Sequence, residues 1–180
     1  MTTQQILEAA RGAKAQVAQA DSEQKNAALR AMADYLIAET GAILTANEAD
    51  LIAAKGQISE VMLDRLRLTK ERIEAMAEGI RQVAELPDPV GKVRYSHSRP
   101  NGLKIDRVGC PLGVVAIIYE ARPNVTVDSA ALCLKTGNAV VLRGGKEAIH
   151  TNKKLVELIK AALSECGFDP HCVELITSTD

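Results

Sequence analysis

Residues 113–176 decide the fold, because short apolar runs alternate there with helical patterns. Residues 113–119 (GVVAIIY) form a continuous β-branched run, typical of a parallel strand that is buried on both faces. Apolar residues recur at helical spacing over 127–134, and residues 139–142 (AVVL) predict a second buried strand. A second helical pattern over 155–163 leads to a short third strand at 173–176 (VELI). This order predicts a βαβαβ unit, an α/β fold with a parallel sheet and right-handed crossovers.

The loops after the first two strands are the places to look for a site, because open parallel sheets bind ligands at the carboxyl ends of their strands. The first loop (YEARPNVT) places Glu120, Arg122, Asn124 and Thr126 together before a helix. A helix N-terminus offers free N–H groups to an anion or a developing oxyanion. The side chain of Asn124 can either cap that helix or donate an N–H group to a ligand.

The second loop (RGGKE) joins two glycines to flanking cations, a combination that suits phosphate. The candidate residues are Arg143, Gly144, Gly145 and Lys146. A Gly-Gly turn with solvated charges has the same sequence pattern, so both interpretations stay open. No G-x-G-x-x-G string follows a strand, and Glu147 stands where a P-loop needs Ser or Thr, which disfavours a kinase or an ATPase. We expect Asn124 and these two cations to face one shared crevice.

The remaining chain divides near residue 87, since all six prolines lie at or beyond Pro87. Residues 1–86 carry apolar stripes at helical spacing, which predicts a helical region with Ser22 and Thr69 as helix caps. Residues 87–109 predict a β-hairpin linker that turns at 100–102 (PNG), and this hairpin is a candidate oligomerisation element. Residues 110–180 form the α/β part, whose last helix we expect to be capped by one of two polar residues, Thr151 or Asn152.

Composition excludes several classes of protein. Apolar residues make up 47% and charged residues 25% of the chain, and the net charge is −1, which disfavours nucleic-acid binding through bulk positive potential. No membrane span or signal segment is recognisable, so we expect a cytoplasmic protein. The four cysteines lack the close spacing of zinc or redox sites, and the three histidines are scattered, so we expect no metal site.

Two long strings carry a family resemblance: residues 111–128 (PLGVVAIIYEARPNVTVD) and residues 134–148 (LKTGNAVVLRGGKEA). They closely resemble the gamma-glutamyl phosphate reductases, the proline-biosynthesis branch of the aldehyde dehydrogenase superfamily. The strings MLDRL at 62–66 and DPVG at 88–91 also look like that family, so the resemblance covers essentially the whole chain.

The resemblance implies an NADPH-dependent reduction of L-glutamate 5-phosphate to L-glutamate 5-semialdehyde and phosphate. It implies that Asn124 donates to the oxyanion of the reacting carbonyl, that Arg143 contacts the cofactor's adenosine ribose or 2′-phosphate, and that Lys146 lies beside it. Arg122 is a candidate contact for the substrate's phosphate or carboxylate, and an ion pair of Arg122 with Glu120 or Asp128 is the alternative prediction. A partial NADP-binding Rossmann-like domain, a homo-oligomer, and glutamate 5-kinase as a pathway neighbour are further implications.

The chain departs from the family pattern in one respect: the Pro-Ser-Thr-Cys-Asn-like motif that carries the family's nucleophilic cysteine is absent. We therefore assign the nucleophile to none of the four cysteines, and we expect the amino-terminal portion of a longer reductase that is inactive alone. The alternatives are a non-catalytic dinucleotide- or phosphate-binding module and an oligomerisation piece.

Overall fold

The amino-terminal half of the chain is helical, as the apolar stripes predict. The computed structural model describes residues 1–178. Thr69 caps its helix through a hydrogen bond from the Arg72 amide, which confirms that prediction. The prediction for Ser22 is wrong: Asp21 caps the second helix and forms a reciprocal pair of hydrogen bonds with Gln24, because a carboxylate at this position also complements the helix dipole. The helices are α1 (Thr3–Gln19), α2 (Ser22–Ala38), α3 (Thr40–Ala54), α4 (Glu60–Leu66) and α5 (Lys70–Glu85).

The predicted hairpin is present as two antiparallel strands, β1 (Val93–Ser98) and β2 (Lys104–Val108). The chain reverses at Asn101 and Gly102, and Gly102 adopts a positive φ of 85° that favours glycine. Every residue of both strands is exposed, including the apolar side chains of Tyr95 and Ile105. The hairpin therefore presents apolar surface that the described part of the chain does not cover.

The carboxyl-terminal half contains the predicted βαβαβ unit. The parallel sheet has the order β3-β4-β5, with Ala116 opposite Val141 and Val140 opposite Val173. Gly137 follows the first helix of this unit and has a positive φ of 75°, as expected just after a helix C-terminus. The elements are β3 (Val114–Ile118), α6 (Pro123–Lys135), β4 (Ala139–Arg143), α7 (Ile149–Glu165) and β5 (Val173–Leu175).

The central strand β4 is covered on both faces, because its side chains alternate between two apolar clusters. Val141 packs with Ile6 and Ala10 of α1. Val140 and Leu142 belong to the main core, which also contains apolar residues of α2, α5, α6 and α7. One core therefore joins the helical region to the sheet and fixes the surfaces that face each other across it.

Burial of β3 on both faces was predicted, and this prediction is wrong for the described residues. Its residues are half-buried or exposed, none is fully buried, and Ile118 is 76% exposed. The physical reason is position: within residues 1–178, β3 lies at an edge of the sheet and pairs with β4 alone.

The prediction that Thr151 or Asn152 caps the last helix is also wrong, because both residues lie inside α7 and are buried. The cap comes from α3 instead. The carboxylate of Asp50 accepts hydrogen bonds from the His150 amide at 3.1 Å, the Thr151 amide at 2.8 Å and the Thr151 hydroxyl at 2.6 Å. An acceptor from a distant helix thus satisfies the free amides that a local residue was expected to satisfy.

Among the described residues, none of the helices combines the length and apolar character that crossing a membrane requires.

Candidate functional site

Asn124 lies in the first turn of α6 rather than in a loop before it. Pro123 occupies the first helical position, where its fixed φ and missing N–H group are tolerated, and Arg122 precedes it as the cap residue. The side chain of Asn124 does not cap the helix. Its Nδ2 group donates to Oδ2 of Asp128, one turn later, at 3.1 Å. An amide nitrogen has two N–H groups, so one remains available after this bond.

Asp128 restrains the amide of Asn124. Burial raises the pKa of this carboxyl, and the hydrogen bond from Asn124 opposes that rise because it favours the charged form. The bond fixes which way the amide points, since only a donor can face the carboxylate. Asp128 is therefore a positioning residue for Asn124.

Asn124 lines a cavity of about 430 Å³ between α4, α5 and the start of α6. Arginines dominate its polar wall, and those contributed by α4 and the segment after it are not among the site residues that the sequence predicts. The only sequence signal for them is the cluster DRLR at 64–67, which a solvated helix face would also produce. The lining arginines are Arg65, Arg67, Arg72 and Arg122.

The second loop surrounds a separate cavity of about 240 Å³ at the carboxyl ends of β4 and β5. Arg143 ends β4, and Lys146 begins a short 3₁₀ turn. All four predicted residues, Arg143, Gly144, Gly145 and Lys146, line this cavity. Neither cation has a side-chain hydrogen bond or ion pair within residues 1–178, so both are available to an anion.

Packing within the protein accounts for the two glycines. A Cβ at Gly144 would collide with Nδ2 of Asn152 and come within 3.0 Å of the Tyr119 ring. A Cβ at Gly145 would lie 2.6 Å from Oε2 of Glu147, a flexible group that can move aside, and 3.3 Å from the backbone nitrogen of Ala121, so the requirement for glycine is weaker there. Neighbouring protein atoms thus occupy the space that a side chain would need at each glycine. The sequence pattern had suggested that a ligand occupies this space.

A buried polar chain holds the two loops together. The Tyr119 hydroxyl lies 2.6 Å from Oγ1 of Thr126, which donates to Oδ1 of Asn152 at 2.8 Å. The Tyr119 amide also donates to the Arg143 carbonyl at 3.0 Å. Burial raises the pKa of Tyr119, so its hydroxyl stays protonated.

The expectation that Asn124 and Arg143 face one crevice is wrong for the described residues. Their loops are in backbone contact, but the two side chains line different cavities in the described part of the chain. The predicted ion pair of Arg122 with Glu120 or Asp128 is not among the salt bridges of residues 1–178; Arg122 instead donates its backbone amide to the Glu120 carbonyl at 2.8 Å.

The four cysteines do not contribute to either cavity as the described residues define them. Cys133 and Cys172 are buried, and burial raises the pKa of their thiols to about 11 and about 12. Burial also raises the pKa of Cys166, and Cys110 is exposed beside the hairpin. A thiol with a raised pKa carries little of the thiolate that a nucleophile needs. No cluster of metal-ligating side chains occurs within residues 1–178.

Comparison with known proteins relates the whole chain to one family. The sequence profile of the aldehyde dehydrogenase family matches residues 1–180. A gamma-glutamyl phosphate reductase of Streptococcus suis is 53% identical over 178 residues, which are 99% of this chain and 43% of that protein. The chain therefore spans less than half the length of this relative.

Two solved structures agree with the fold over nearly the whole chain. The gamma-glutamyl phosphate reductase of Thermotoga maritima superposes with a TM-score of 0.92 at 41% identity, covering 97% of this chain and 43% of its own. The gamma-glutamyl phosphate reductase of Saccharomyces cerevisiae gives a TM-score of 0.92 at 36% identity, covering 100% of this chain and 47% of its own.

Proposed function

Because the chain belongs to the aldehyde dehydrogenase family, we propose that it forms part of a reductase that converts L-glutamate 5-phosphate and NADPH into L-glutamate 5-semialdehyde, phosphate and NADP⁺. The similarity to gamma-glutamyl phosphate reductases supports this substrate. The observation that carries the proposal is Asn124, whose amide is oriented by Asp128 at the wall of an arginine-lined cavity.

In this proposal Asn124 stabilises the reacting carbonyl. Attack on the acyl carbon places negative charge on its oxygen, and a fixed N–H donor binds that oxygen better than it binds the uncharged carbonyl. Asp128 holds one N–H group of the amide, so the orientation of the other is set before the substrate arrives. No reorganisation is then needed when the charge develops.

The charge and position of the cavity at Arg143 suit the 2′-phosphate of NADPH. Its two cations are unpaired within the described residues, and the loop lies at the carboxyl end of a parallel strand, where such sheets bind ligands. Arg143 and Lys146 would hold the 2′-phosphate and the neighbouring ribose of NADPH. When bound, NADPH supplies the hydride that reduces the acyl carbon.

The attacking thiol belongs to none of the four cysteines in this proposal, since none lines the cavity beside Asn124 in the described residues. A thiolate from outside residues 1–180 forms a bond to the acyl carbon, and phosphate leaves with the electron pair of the broken C–O bond. The 180-residue chain alone is then a binding module without turnover.

Two variants of the full-length reductase test these roles. Asn124→Ala is expected to lower kcat by about a hundredfold to a thousandfold, the usual effect of losing one oxyanion donor, and to leave NADPH affinity unchanged. Arg143→Ala is expected to weaken NADPH more than NADH, because only NADPH carries the 2′-phosphate.

Steady-state kinetics with both cofactors, together with fluorescence titration of NADPH, separate the two effects. Equal losses of turnover and cofactor affinity in Asn124→Ala would assign Asn124 a purely structural role. An unchanged preference between NADPH and NADH in Arg143→Ala would remove Arg143 from the 2′-phosphate site.

The exposed hairpin supports a further proposal, that the protein is a homo-oligomer assembled through β1 and β2. Tyr95 and Ile105 are apolar and exposed on neighbouring strands, and exposed apolar surface of this kind is typical of a contact between protein chains.

A further inference from the structure

The cavity beside Asn124 has more positive charge than its oxyanion role requires. Four arginines and two carboxylates, Asp64 and Asp128, contribute to its wall. These residues come from α4, α5, the segment between them and the start of α6, so the charge converges only in the folded chain.

One of the arginines is used inside the protein. Nη1 of Arg72 donates to the carbonyl oxygens of Asp64 and Arg67 at 2.5 and 2.7 Å, and Nη2 pairs with Oδ1 of Asp64 at 3.0 Å. These bonds close the turn between α4 and α5 and pair the charge of Asp64. Arg72 is therefore a structural residue.

The other three guanidinium groups have no such partner. Within residues 1–178, Arg65, Arg67 and Arg122 form no side-chain hydrogen bond and no ion pair. Arg65 and Arg122 also line a second, smaller cavity, and the carboxylate of Glu120 contributes to the same wall. Guanidinium groups that face one cavity repel each other, and an anion bound between them would reduce that repulsion.

We propose that Arg65, Arg67 and Arg122 bind the phosphoryl group of the acyl-phosphate substrate, an assignment that rests on the proposed function. Arg122 lies two residues before Asn124, so an anion held there lies beside the carbonyl that Asn124 binds. The phosphoryl group is joined to that carbonyl carbon, whereas the substrate's carboxylate is at the other end of the molecule. Guanidinium groups suit phosphate because their paired N–H groups match its oxygens.

The carboxylate of Asp128 also lies at the wall of the proposed anion site. The charge of Asp128 opposes a bound anion, and the hydrogen bond that its Oδ2 atom accepts from Asn124 lessens this effect without removing the charge. Arg72 pairs with Asp64, and the three remaining guanidinium groups outnumber the two carboxylates of Asp128 and Glu120, so the site keeps a positive surplus.

The test uses the 180-residue chain and inorganic phosphate as the probe. Isothermal titration and the NMR signals of the arginine Nε–H groups report binding. We expect saturable binding that Arg65→Gln and Arg122→Gln each weaken by about tenfold, since each removes a charge-assisted contact. Arg94→Gln is the matched control, because Arg94 is an exposed hairpin arginine away from the cavity. It removes the same charge and is expected to change nothing. Thermal unfolding checks that each variant is folded.

Three results would overturn the assignment: phosphate binding that is not saturable, equal binding by all variants, or displacement of phosphate by L-glutamate, which carries the carboxylates and no phosphoryl group. None of these would affect the proposed reductase, whose own test is the turnover of Asn124→Ala and the cofactor preference of Arg143→Ala. Full turnover in Asn124→Ala with intact phosphate binding would refute the oxyanion role and keep the anion site.

Discussion

Replacing Asp50 tests whether one carboxylate fastens the helical region to the α/β part. Asp50 is 1% exposed and accepts three hydrogen bonds at the start of α7. One turn earlier on α3, the amide of Asn47 donates to the Leu66 carbonyl at 2.9 Å and its Oδ1 accepts from the Leu68 amide at 2.8 Å. The same face of α3 therefore holds both the start of α7 and the segment that carries the cavity arginines.

The magnitude follows from the groups that would lose their partners. Asp50→Ala leaves the half-buried His150 amide and the buried amide and hydroxyl of Thr151 without this acceptor, and it removes a negative charge from a helix N-terminus. Hydrogen bonds to a charged group contribute about 1.5–3 kcal/mol each, but bonds to one carboxylate are not additive. We therefore expect a loss of about 3 kcal/mol in the free energy of unfolding, above the range of about 0.5–2 kcal/mol that is usual for a lost cap.

Urea unfolding of the 180-residue chain, followed by circular dichroism, measures this loss. Glu48→Ala is the matched control on the same helix, since Glu48 is exposed, and we expect a change below about 0.5 kcal/mol. The double variant Asp50→Ala with Thr151→Val should lose less than the sum of the single variants, because both remove the same hydroxyl bond. A loss in Asp50→Ala no larger than that in Glu48→Ala would refute this role.

Two further predictions concern the ion pair at the end of the helical region and the hairpin. Lys25 is 1% exposed, and its ammonium group pairs with the carboxylate of Asp88. Burial acts to raise the pKa of Asp88. The hydrogen bonds that Asp88 accepts, led by the one from Lys25, outweigh this effect and hold its pKa below the ordinary value of 3.8. The pair therefore stabilises the fold above pH 3.8 and loses its effect as the pH falls through the lowered pKa. In urea unfolding, Asp88→Asn should lower the free energy of unfolding by about 3 kcal/mol at pH 7 and by progressively less below pH 3.8. A difference that does not depend on pH would refute this prediction. Ile105→Lys should shift the full-length protein toward monomer in analytical ultracentrifugation, whereas Ile52→Lys, at an exposed apolar position on α3, should not; equal behaviour would remove the hairpin from the interface.

Local patterns in the sequence predict the elements and the two loops of the site, but not their partners. The Pro-Asn step and the Arg-Gly-Gly-Lys string both follow strands, and both lie where the strand order predicted them. The placement of Asn124 in a loop is wrong because Pro123 starts the helix, a preference that is itself local.

The errors that local patterns could not prevent involve contacts between residues far apart in the chain. Nothing near Thr151 indicates that its amide bonds to Asp50, which lies 101 residues away. The arginines at 65 and 67 have the pattern of an exposed helix face, and only the packing of α4 beside α6 brings them to Asn124. The apolar run of β3 likewise cannot tell an edge strand from a central one.

The separation of Asn124 from Arg143 is consistent with the chemistry that we propose. A dinucleotide carries its 2′-phosphate at one end and its reacting ring at the other, with the pyrophosphate between them. A residue that binds the 2′-phosphate and a residue that binds the acyl oxygen therefore have no reason to line the same cavity. They need a fixed distance from each other. Two features set that distance: the hydrogen bond from the Tyr119 amide to the Arg143 carbonyl, and the polar chain that runs from Tyr119 through Thr126 to Asn152. Gly144 belongs to the same arrangement, because only a residue without a side chain lets the second loop pack against Asn152.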